Sequence, residues 1–228
     1  MLKKCYEKIL HCQHEDKKLL ALVKRYAPYS AKILDVGCGF GRYLAPLKER
    51  GYDVLGIDKN NQIIEQNLTR NLPCMSVDGF AKLSDTYSMI ILSHIIEHLM
   101  PQELLAFLDH YLEKLKPGGH LIIATPLYTN YFYDDYDHVK PYHPLGLQMI
   151  FDAKTQIQYC SRHKMVLQDL WFRKSPFVTT FQRAKYLRSR KTKVLQLTDA
   201  FWALLFKLSG TFLGRKDGWI GVYQKVNQ

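Results

Sequence analysis

Residues 33–42 have the sequence ILDVGCGFGR, and no other stretch of the chain is as informative. An apolar strand pattern runs directly into three glycines at alternate positions, Gly37, Gly39 and Gly41, before a helical pattern begins. Glycine permits positive φ angles and lets a ligand approach the main chain without an intervening Cβ. The start of the following helix offers free N–H groups. The stretch therefore predicts a strand, a turn and a helix that together bind a ligand.

Short apolar runs alternate with helical patterns on both sides of this turn. Strands are predicted at 32–36, 52–57, 88–92 and 120–125, with a weaker one at 73–77. Helices are predicted at 1–28, 41–50, 60–71 and 101–115, and the Pro-Gly-Gly of 117–119 predicts a break before the next strand. This alternation predicts a Rossmann-like open α/β sheet, mainly parallel, with helices on both faces. A ligand of such a sheet binds at the carboxyl ends of its strands.

Length and composition are those of one globular domain in a reducing compartment. The 228 residues are 47% hydrophobic and 23% charged, which excludes a disordered chain. Five scattered cysteines without a C-x-x-C pair argue against a disulfide framework and a structural zinc site. No apolar segment follows the basic first residues, and no run of ~18 apolar residues occurs, so a cytoplasmic protein without a membrane span is expected.

The residues around the glycines separate this turn from other nucleotide-binding turns. A dinucleotide turn places its third glycine where Arg42 stands, and a P-loop ends in Gly-Lys-Ser/Thr, which is absent here. With Asp35 before the first glycine, the stretch resembles motif I of the class I S-adenosylmethionine (SAM)-dependent methyltransferases. Further landmarks follow successive strands in the family's order, namely Asp58, Asp78, Ser93-His94 and the turn at 116–121. The resemblance covers residues 33–125 and is closest to the ubiquinone-biosynthesis O-methyltransferases.

The resemblance implies SAM as the cofactor and methyl transfer to a nucleophile as the reaction. Main-chain groups of the glycine turn would line the methionine part of SAM, and Asp35 would orient that turn or the ligand's ammonium group. Asp58 would hold the ribose, since a carboxylate ~20 residues beyond such a turn accepts hydrogen bonds from the diol, and Asp78 would face the adenine. The cofactor-binding residues so predicted are Asp35, Gly37, Cys38, Gly39, Gly41, Asp58, Lys59, Asp78, Gly79, Ser93 and His94.

Residues 94–98, His-Ile-Ile-Glu-His, match the H-x-x-E-H pattern of inverted zinc proteases. Two histidines at positions i and i+4 of a helix could share a metal ion. The segment nevertheless leaves a buried strand at the cofactor edge of the sheet, and methyltransferases of the resembled branch carry similar stretches without zinc. No metal is therefore predicted, and a structural, a cofactor-adjacent and an acid–base role stay open for these residues.

A polar, proline-bounded segment, residues 128–144, follows the fifth strand and carries aromatic side chains at 128, 131, 132, 133 and 136. Its position at the carboxyl end of a strand predicts a wall of the acceptor site. His138 is the predicted catalytic residue, because an imidazole with an ordinary pKa of ~6.5 suits the deprotonation of a hydroxyl. The alternative is that His138 only orders the loop through Asp137.

Basic residues are concentrated at the end of the chain. The net charge is +11, and residues 171–228 alone hold 12 basic and two acidic side chains. About 45 residues separate a sixth strand, predicted at 165–172, from a seventh, antiparallel strand at 218–226. The first part of this helical insert carries Arg173, Lys174, Arg183, Lys185, Arg188, Arg190, Lys191 and Lys193. An apolar helix at 194–208 follows, so a lid or dimer contact, an anionic membrane surface bound through 183–208, and RNA remain as alternatives.

Four segments are predicted: an N-terminal helical segment at 1–28, a SAM-binding core at 29–174, the basic and apolar insert at 175–217, and the last strand at 218–228. The predicted function is SAM-dependent methyl transfer to a small-molecule, lipid-linked or glycan acceptor, at oxygen. Two alternatives are an RNA methyltransferase and a non-catalytic SAM-binding protein. Residues 93–96, Ser-His-Ile-Ile, lack the Asn/Asp-Pro-Pro-aromatic motif of base N-methylation, which disfavours that RNA chemistry.

Overall fold

A computed structural model describes residues 14–152, 159–179 and 189–226. Its seven strands are β1 (Lys32–Val36), β2 (Asp53–Asp58), β3 (Cys74–Ser76), β4 (Tyr87–Ser93), β5 (Leu115–Pro126), β6 (Met165–Ser175) and β7 (Arg215–Lys225). Its α-helices, within those ranges, are α1 (His14–Tyr26), α2 (Leu44–Glu49), α3 (Asn61–Thr69), α4 (Val77–Ala81), α5 (Pro101–Glu113), α6 (Pro144–Asp152) and α7 (Arg190–Leu208). Two short 3₁₀ helices lie at Ile96–His98 and Phe132–Asp134.

The strands form one sheet in the order β3-β2-β1-β4-β5-β7-β6. The first five strands are parallel to one another, and β7 is antiparallel to both β5 and β6. This confirms the predicted Rossmann-like sheet with an antiparallel last strand. The chain leaves β1 first toward β2 and later returns to place β4 on the other side of β1, and ligands of open α/β sheets bind at such a reversal.

Alternate residues of the central strands point to opposite faces of the sheet and build two cores. In β4, Met89 and Ile91 pack with apolar residues of α1, α2 and α3, whereas Ile90 and Leu92 pack with those of α4, α5 and α6. A parallel strand that is buried on both faces shows a continuous apolar run, as the sequence does here. The two layers of helices hold the strand ends, and therefore the loops that follow them, in fixed positions.

Several predicted boundaries move, each for a local reason. The break predicted at 117–119 is wrong as a strand start, because it is an irregularity inside β5, where the register with β4 shifts and Gly118 has a φ of +73°. The helix predicted from residue 41 begins at Leu44, since Gly41 has a φ of +75°, which no right-handed helix accommodates. Helix α6 was not predicted, and α7 begins four residues earlier than the expected apolar helix.

Two predictions fall partly on residues that are not described. Of the N-terminal helical segment, α1 is present, and residues 1–13 lie outside the described part. Of the basic residues in the insert, Arg183, Lys185 and Arg188 lie outside it as well. Among the described helices, none has both the length and the apolar character that crossing a membrane requires.

Candidate cofactor and acceptor site

The three glycines of the turn after β1 serve two different purposes. All have positive φ angles, +67° at Gly37, +51° at Gly39 and +75° at Gly41. A Cβ on Gly37 would lie 2.1 Å from Ile95 Cδ1, and one on Gly41 would lie 2.6 Å from Leu72 Cδ1. A Cβ on Gly39 would meet nothing within 4 Å. The outer two glycines therefore allow close packing, and Gly39 leaves open space above the turn for a ligand.

Side chains from two other elements fix this turn. The Gly39 N–H donates to Asp58 Oδ2 at 3.0 Å, and the Asn60 N–H donates to Asp58 Oδ1 at 2.9 Å. From α3, Asn67 Nδ2 donates to the Gly39 carbonyl at 2.7 Å. Each carboxylate oxygen of Asp58 keeps a further lone pair with which it can accept a hydroxyl. Sequence reasoning identified Asp58 but missed Asn67, which carries no motif of its own.

The side chains of Asp35 and Cys38 are both buried. Asp35 is 1% exposed, and its Oδ2 has no hydrogen-bond partner. Burial, with lesser contributions from Cys74 and Asp58, raises the pKa of Asp35 to about 8. The Sγ of Cys38 is buried 3.4 Å from that of Cys74, which leaves only the main chain of Cys38 on the ligand side.

The remaining predicted cofactor residues follow neighbouring strands along the same edge of the sheet. Asp78 is exposed in the first turn of α4, where the Gly79 N–H donates to Ser76 Oγ at 3.1 Å. Lys59 is exposed directly after β2, and Ser93 ends β4. The register pairs Asp58 with Ser76, so the ends of β2 and β3 lie side by side. The topology thus brings the predicted acids at 58 and 78 to one edge.

His94 is held between two buried carboxylates and has a positive φ of +57°. Its Nε2 lies 2.7 Å from Glu15 Oε1, and its Nδ1 lies 3.1 Å from Glu97 Oε1. Burial alone would lower the pKa of His94, but the hydrogen bonds to Glu15 and Glu97 raise it to about 9. The ring is therefore a cation at neutral pH. Its contacts with Glu15 and Glu97 fix the segment that follows β4.

The contacts of His94 extend across the molecule as a chain of ion pairs, which we call the charge relay: Glu97, His94, Glu15, Arg173 and Asp217. Arg173 donates to Glu15 Oε2 at 2.5 Å and to Asp217 Oδ1 at 2.9 Å. Burial would raise the pKa of Glu15, but His94, Arg173 and Arg42 lower it to about 2. The relay joins α1, β6 and β7 to the end of β4. Sequence reasoning missed it, because members that bond directly to one another are as many as 158 residues apart and form no local pattern.

The H-x-x-E-H stretch does not place its two histidines on one helical face. A 3₁₀ helix covers only Ile96–His98, and His94 precedes it with a left-handed main chain. His98 instead meets His138, with ring centroids 5.0 Å apart. One ligand atom from each of Glu97, His98 and His138 lies within 4.8 Å of the others. This trio could hold a divalent ion, although Glu97 already accepts hydrogen bonds from His94 and from Thr125 Oγ1.

Main-chain carbonyls fix the tautomers of both histidines. His138 Nδ1 lies 2.7 Å from the Phe132 carbonyl oxygen, and His98 Nδ1 lies 2.9 Å from that of Asp137. A carbonyl oxygen only accepts hydrogen bonds, so each Nδ1 carries its proton and donates it. The neutral ring of His98 or His138 therefore keeps a lone pair on Nε2. The predicted contact of His138 with Asp137 is wrong in detail, because the side chain bonds to Phe132 and faces Asp135 at 3.7 Å.

The loop after β5 presents fewer aromatic side chains than expected. Phe132 is buried and packs against the ring of His138 with centroids 4.6 Å apart, so it supports the loop instead of lining an acceptor site. Tyr128, Tyr133 and Tyr136 are exposed. The Val139 and Lys140 N–H groups donate to the Glu97 carbonyl at 2.8 and 3.1 Å. These bonds attach the loop to the 3₁₀ helix Ile96–His98. That helix directly follows Ile95, which packs on Gly37.

Residues 11–193 match a family model described as a methyltransferase domain. The chain belongs to this methyltransferase family. The expected class I SAM-dependent domain is thereby confirmed, and SAM is its cofactor.

Part of the chain is 30% identical over 102 residues to the ubiquinone biosynthesis O-methyltransferase of Parvibaculum lavamentivorans, covering 41% of this chain and 40% of that protein. The human mitochondrial enzyme of that name is 30% identical over 107 residues, with 41% and 28% covered. The chain thus matches less than half the length of these two relatives.

Solved structures show the same fold at low sequence identity. A SAM-dependent methyltransferase from Archaeoglobus fulgidus superposes with a TM-score of 0.57 at 23% identity, covering 92% of this chain and 94% of that one. The magnesium protoporphyrin IX methyltransferase of Synechocystis, solved with bound SAM, has a TM-score of 0.56 at 15% identity, with 95% and 80% covered. These likenesses extend the shared fold beyond the 33–125 core on which the sequence resemblance rests.

The residues of the turn fit SAM as the family implies. The space above Gly39 admits a ligand to the main chain, and Asp58 stands beside it with lone pairs free to accept hydroxyl groups. When bound, SAM supplies an electrophilic methyl group on a sulfonium. The contribution of the chain is to bind and orient it and to prepare the acceptor atom. Gly37, Gly39, Asp58 and Asp78 would hold the cofactor at this edge.

Proposed function

We propose that this chain transfers a methyl group from SAM to a hydroxyl oxygen of a small-molecule acceptor. The observation that supports the proposal is that the His98–His138 pair, with ring centroids 5.0 Å apart, belongs to the segment that begins with Ile95 at the cofactor turn. Ile95 packs over Gly37, and His98 lies three residues further along the chain. The hydrogen bonds from 139 and 140 to the Glu97 carbonyl keep the acceptor loop at this point. On this proposal, a proton-accepting group lies near the site of the methyl donor.

His138 is the proposed general base. Its Nδ1–H donates to the Phe132 carbonyl, which leaves Nε2 as the nitrogen that takes the hydroxyl proton of the acceptor. The same carbonyl stabilises the imidazolium that forms, since it accepts a hydrogen bond from a group that has become charged. The half-buried position limits the number of orientations that the ring can adopt. His138 would therefore act on the acceptor without contributing to the binding of SAM.

The substitution His138→Ala tests this assignment. We expect an unchanged dissociation constant for SAM by calorimetry and a turnover reduced by about 10²–10⁴-fold, the range of general base catalysis. The matched control is His110→Ala, which removes an exposed histidine of α5 that touches neither the turn nor the loop. Full turnover of the His138→Ala variant would remove the base from the proposal.

The acceptor class is tested by transfer of labelled methyl groups from SAM into cell extract, followed by separation into lipid, small-molecule and RNA fractions. We expect the label in the lipid or small-molecule fraction, as a methyl ether rather than a methylamine. Label confined to RNA would show that the alternative acceptor is the right one. Complete lack of transfer with intact SAM binding would favour a non-catalytic SAM-binding protein.

A further inference from the structure

Helix α7, in the connection between β6 and β7, has two opposite faces. One face is buried against the domain and consists of Thr192, Asp199, Ala203 and Phe206. The other face is apolar and exposed, and we call it the stripe: Val194, Leu197, Phe201, Leu204 and Leu208. At 100° per residue the centres of the two faces lie on opposite sides of the helix axis. The stripe is therefore not the core-facing side of an ordinary amphipathic helix.

The stripe is continuous along the helix. Its members recur at steps of three and four residues, and each is between 54% and 72% exposed. From Val194 to Leu208 this spacing covers ~21 Å. Phe212 and Leu213, four and five residues beyond the end of the helix, are also exposed. Large apolar side chains scattered singly over a surface need no explanation, but an aligned set of this size marks an interaction surface.

The other face shows that the helix is well anchored. Asp199 accepts hydrogen bonds from the N–H and Oγ1 of Thr179 at 2.6 and 2.7 Å. Trp202 meets Phe177 with ring centroids 5.4 Å apart, and Phe206 packs so closely on Gly214 that a Cβ there would lie 2.6 Å away. These contacts hold α7 in place through its inner side. The stripe consequently points away from the domain in a fixed direction.

The charges beside the stripe have one sign. Lys191 lies on one side of it, Lys193 and Lys207 lie on the other, and all three are exposed. The helix has one acidic residue, Asp199, which is buried on the inner face. The exposed surface of α7 is therefore apolar along its centre and basic along its margins. Such a surface complements one that offers hydrocarbon beneath a layer of negative charge.

Three occupants can be compared on these grounds. RNA would pair with the lysines but would leave the stripe in water. A second copy of the chain would cover the stripe but would bring like charges together along both margins, which is unfavourable. An anionic bilayer satisfies both features, since the apolar face enters the boundary of headgroups and acyl chains while the lysines meet lipid phosphates.

We propose that α7 lies on the surface of an anionic lipid bilayer, with its stripe inserted and its lysines at the phosphate layer. The inference also names the class of acceptor for the proposed function, and this second part of it rests on that function. Strand β6 runs parallel to β5, so its last residue, Ser175, reaches the edge of the sheet that carries the cofactor turn. Attached there, α7 brings the methyl-transfer site to the membrane. The acceptor would accordingly be a lipid-linked hydroxyl compound at the bilayer surface.

Cosedimentation of the full-length protein with vesicles tests the inference. The probes are vesicles of phosphatidylcholine alone and vesicles containing phosphatidylglycerol, each at low and high salt. We expect binding to the anionic vesicles that weakens as salt rises, and at least tenfold weaker binding to the neutral ones. Wild-type protein that ignores anionic vesicles at low salt would overturn the inference.

Two triple variants separate the contributions of the stripe and the lysines. Changing Leu197, Phe201 and Leu204 to Gln should reduce binding to anionic vesicles by more than tenfold, and changing Lys191, Lys193 and Lys207 to Gln should reduce it by about 100-fold at low salt. The matched controls change the exposed Leu68, Leu145 and Val166, or Lys17, Lys24 and Lys82, to Gln, and they should bind as the wild type does. Equal binding by both test variants and their controls would contradict the inference.

Further measurements identify other occupants and keep the two proposals apart. Circular dichroism and SAM affinity confirm that each variant is folded. Dimerisation that the stripe variant abolishes, without vesicle binding, would assign the surface to a second copy and overturn the inference. Vesicle binding with no methyl transfer into any fraction would leave the membrane surface standing and remove the proposed function. Transfer to a soluble acceptor without vesicle binding would leave the proposed function standing and overturn the membrane inference.

Discussion

The cofactor side and the proposed acceptor side of this site lie along one edge of the sheet but are built differently. On the cofactor side, main-chain groups of one turn would make most of the contacts with SAM. Asp58 and Asn67 hold that turn by short hydrogen bonds. On the proposed acceptor side, side chains from α1, the segment after β4, the loop after β5, β6 and β7 meet in the charge relay and the histidine pair. The first is local in sequence, and the second is assembled by the fold.

This difference determines what each side tolerates. A main-chain site depends on a few positions where the φ angle or the close approach of a neighbour permits no side chain. A site made of distant side chains depends on charges that are buried together and stabilise one another. Substitutions should therefore act on the cofactor side through geometry and on the acceptor side through electrostatics.

The largest effect is expected from Gly37→Ala. The new Cβ would need a positive φ and would meet Ile95 Cδ1 at 2.1 Å, so the free energy of unfolding should fall by about 2–5 kcal/mol. In Gly39→Ala the Cβ meets nothing within 4 Å, and the loss should be only about 1–2 kcal/mol. Urea unfolding of both variants measures the difference. In addition, SAM affinity should fall in Gly39→Ala. Equal stabilities of the two variants would show that contact with Ile95 does not exclude a side chain at position 37.

On the acceptor side, Glu15→Gln should lower the free energy of unfolding by about 3 kcal/mol at pH 7. The pKa of Glu15 is lowered from 4.5 to about 2 in the folded chain. A depressed carboxyl pKa stabilises the fold above the unfolded value of 4.5, and this stabilisation is lost as the pH falls toward 2. The gap between wild type and variant should therefore close on acidification.

Unfolding in urea at pH 7, 5 and 3 measures this dependence. The control Glu49→Gln removes an exposed glutamate at the end of α2 and should change stability little at any of these values. A constant difference between wild type and Glu15→Gln across the series would show that the charge of Glu15 contributes nothing to the relay.

A smaller effect is expected when Asp58 is replaced by Ala. SAM binding should weaken by about 1–3 kcal/mol, because the ribose hydroxyls lose a charged acceptor in a largely buried position. Calorimetric titration measures the dissociation constant. Asp53→Ala is the control, since Asp53 is exposed at the opposite end of the same strand. An unchanged affinity in the Asp58→Ala variant would reject its assignment to the ribose.

The same contrast explains how far the sequence could be interpreted. The glycine turn, the alternating strands and helices around it and the place of the acids at 58 and 78 after successive strands were predictable, because each follows from neighbouring residues or from a fixed spacing. Glu15 and Arg173 were not, since nothing near either residue indicates that they meet across 158 positions. His138 was predicted from its loop, and that role stays a prediction, but its bond to the Phe132 carbonyl and its contact with His98 required the fold. The apolar helix of the insert was predicted, whereas its two opposite faces became visible only through burial.

The last prediction concerns the trio of Glu97, His98 and His138, for which we expect no effect of metal removal. Both oxygens of Glu97 already accept hydrogen bonds, from His94 and Thr125, and a divalent ion would have to compete with the positive charge of His94 for that carboxylate. On the proposed mechanism, the lone pairs of the histidines would accept a proton rather than bind a metal ion. Dialysis against a chelator should leave turnover unchanged, and purified protein should contain well under one zinc per chain by mass spectrometry. A stoichiometric ion that the His98→Ala variant loses and the His110→Ala control keeps would contradict the proton-accepting role and make the acceptor side a metal centre.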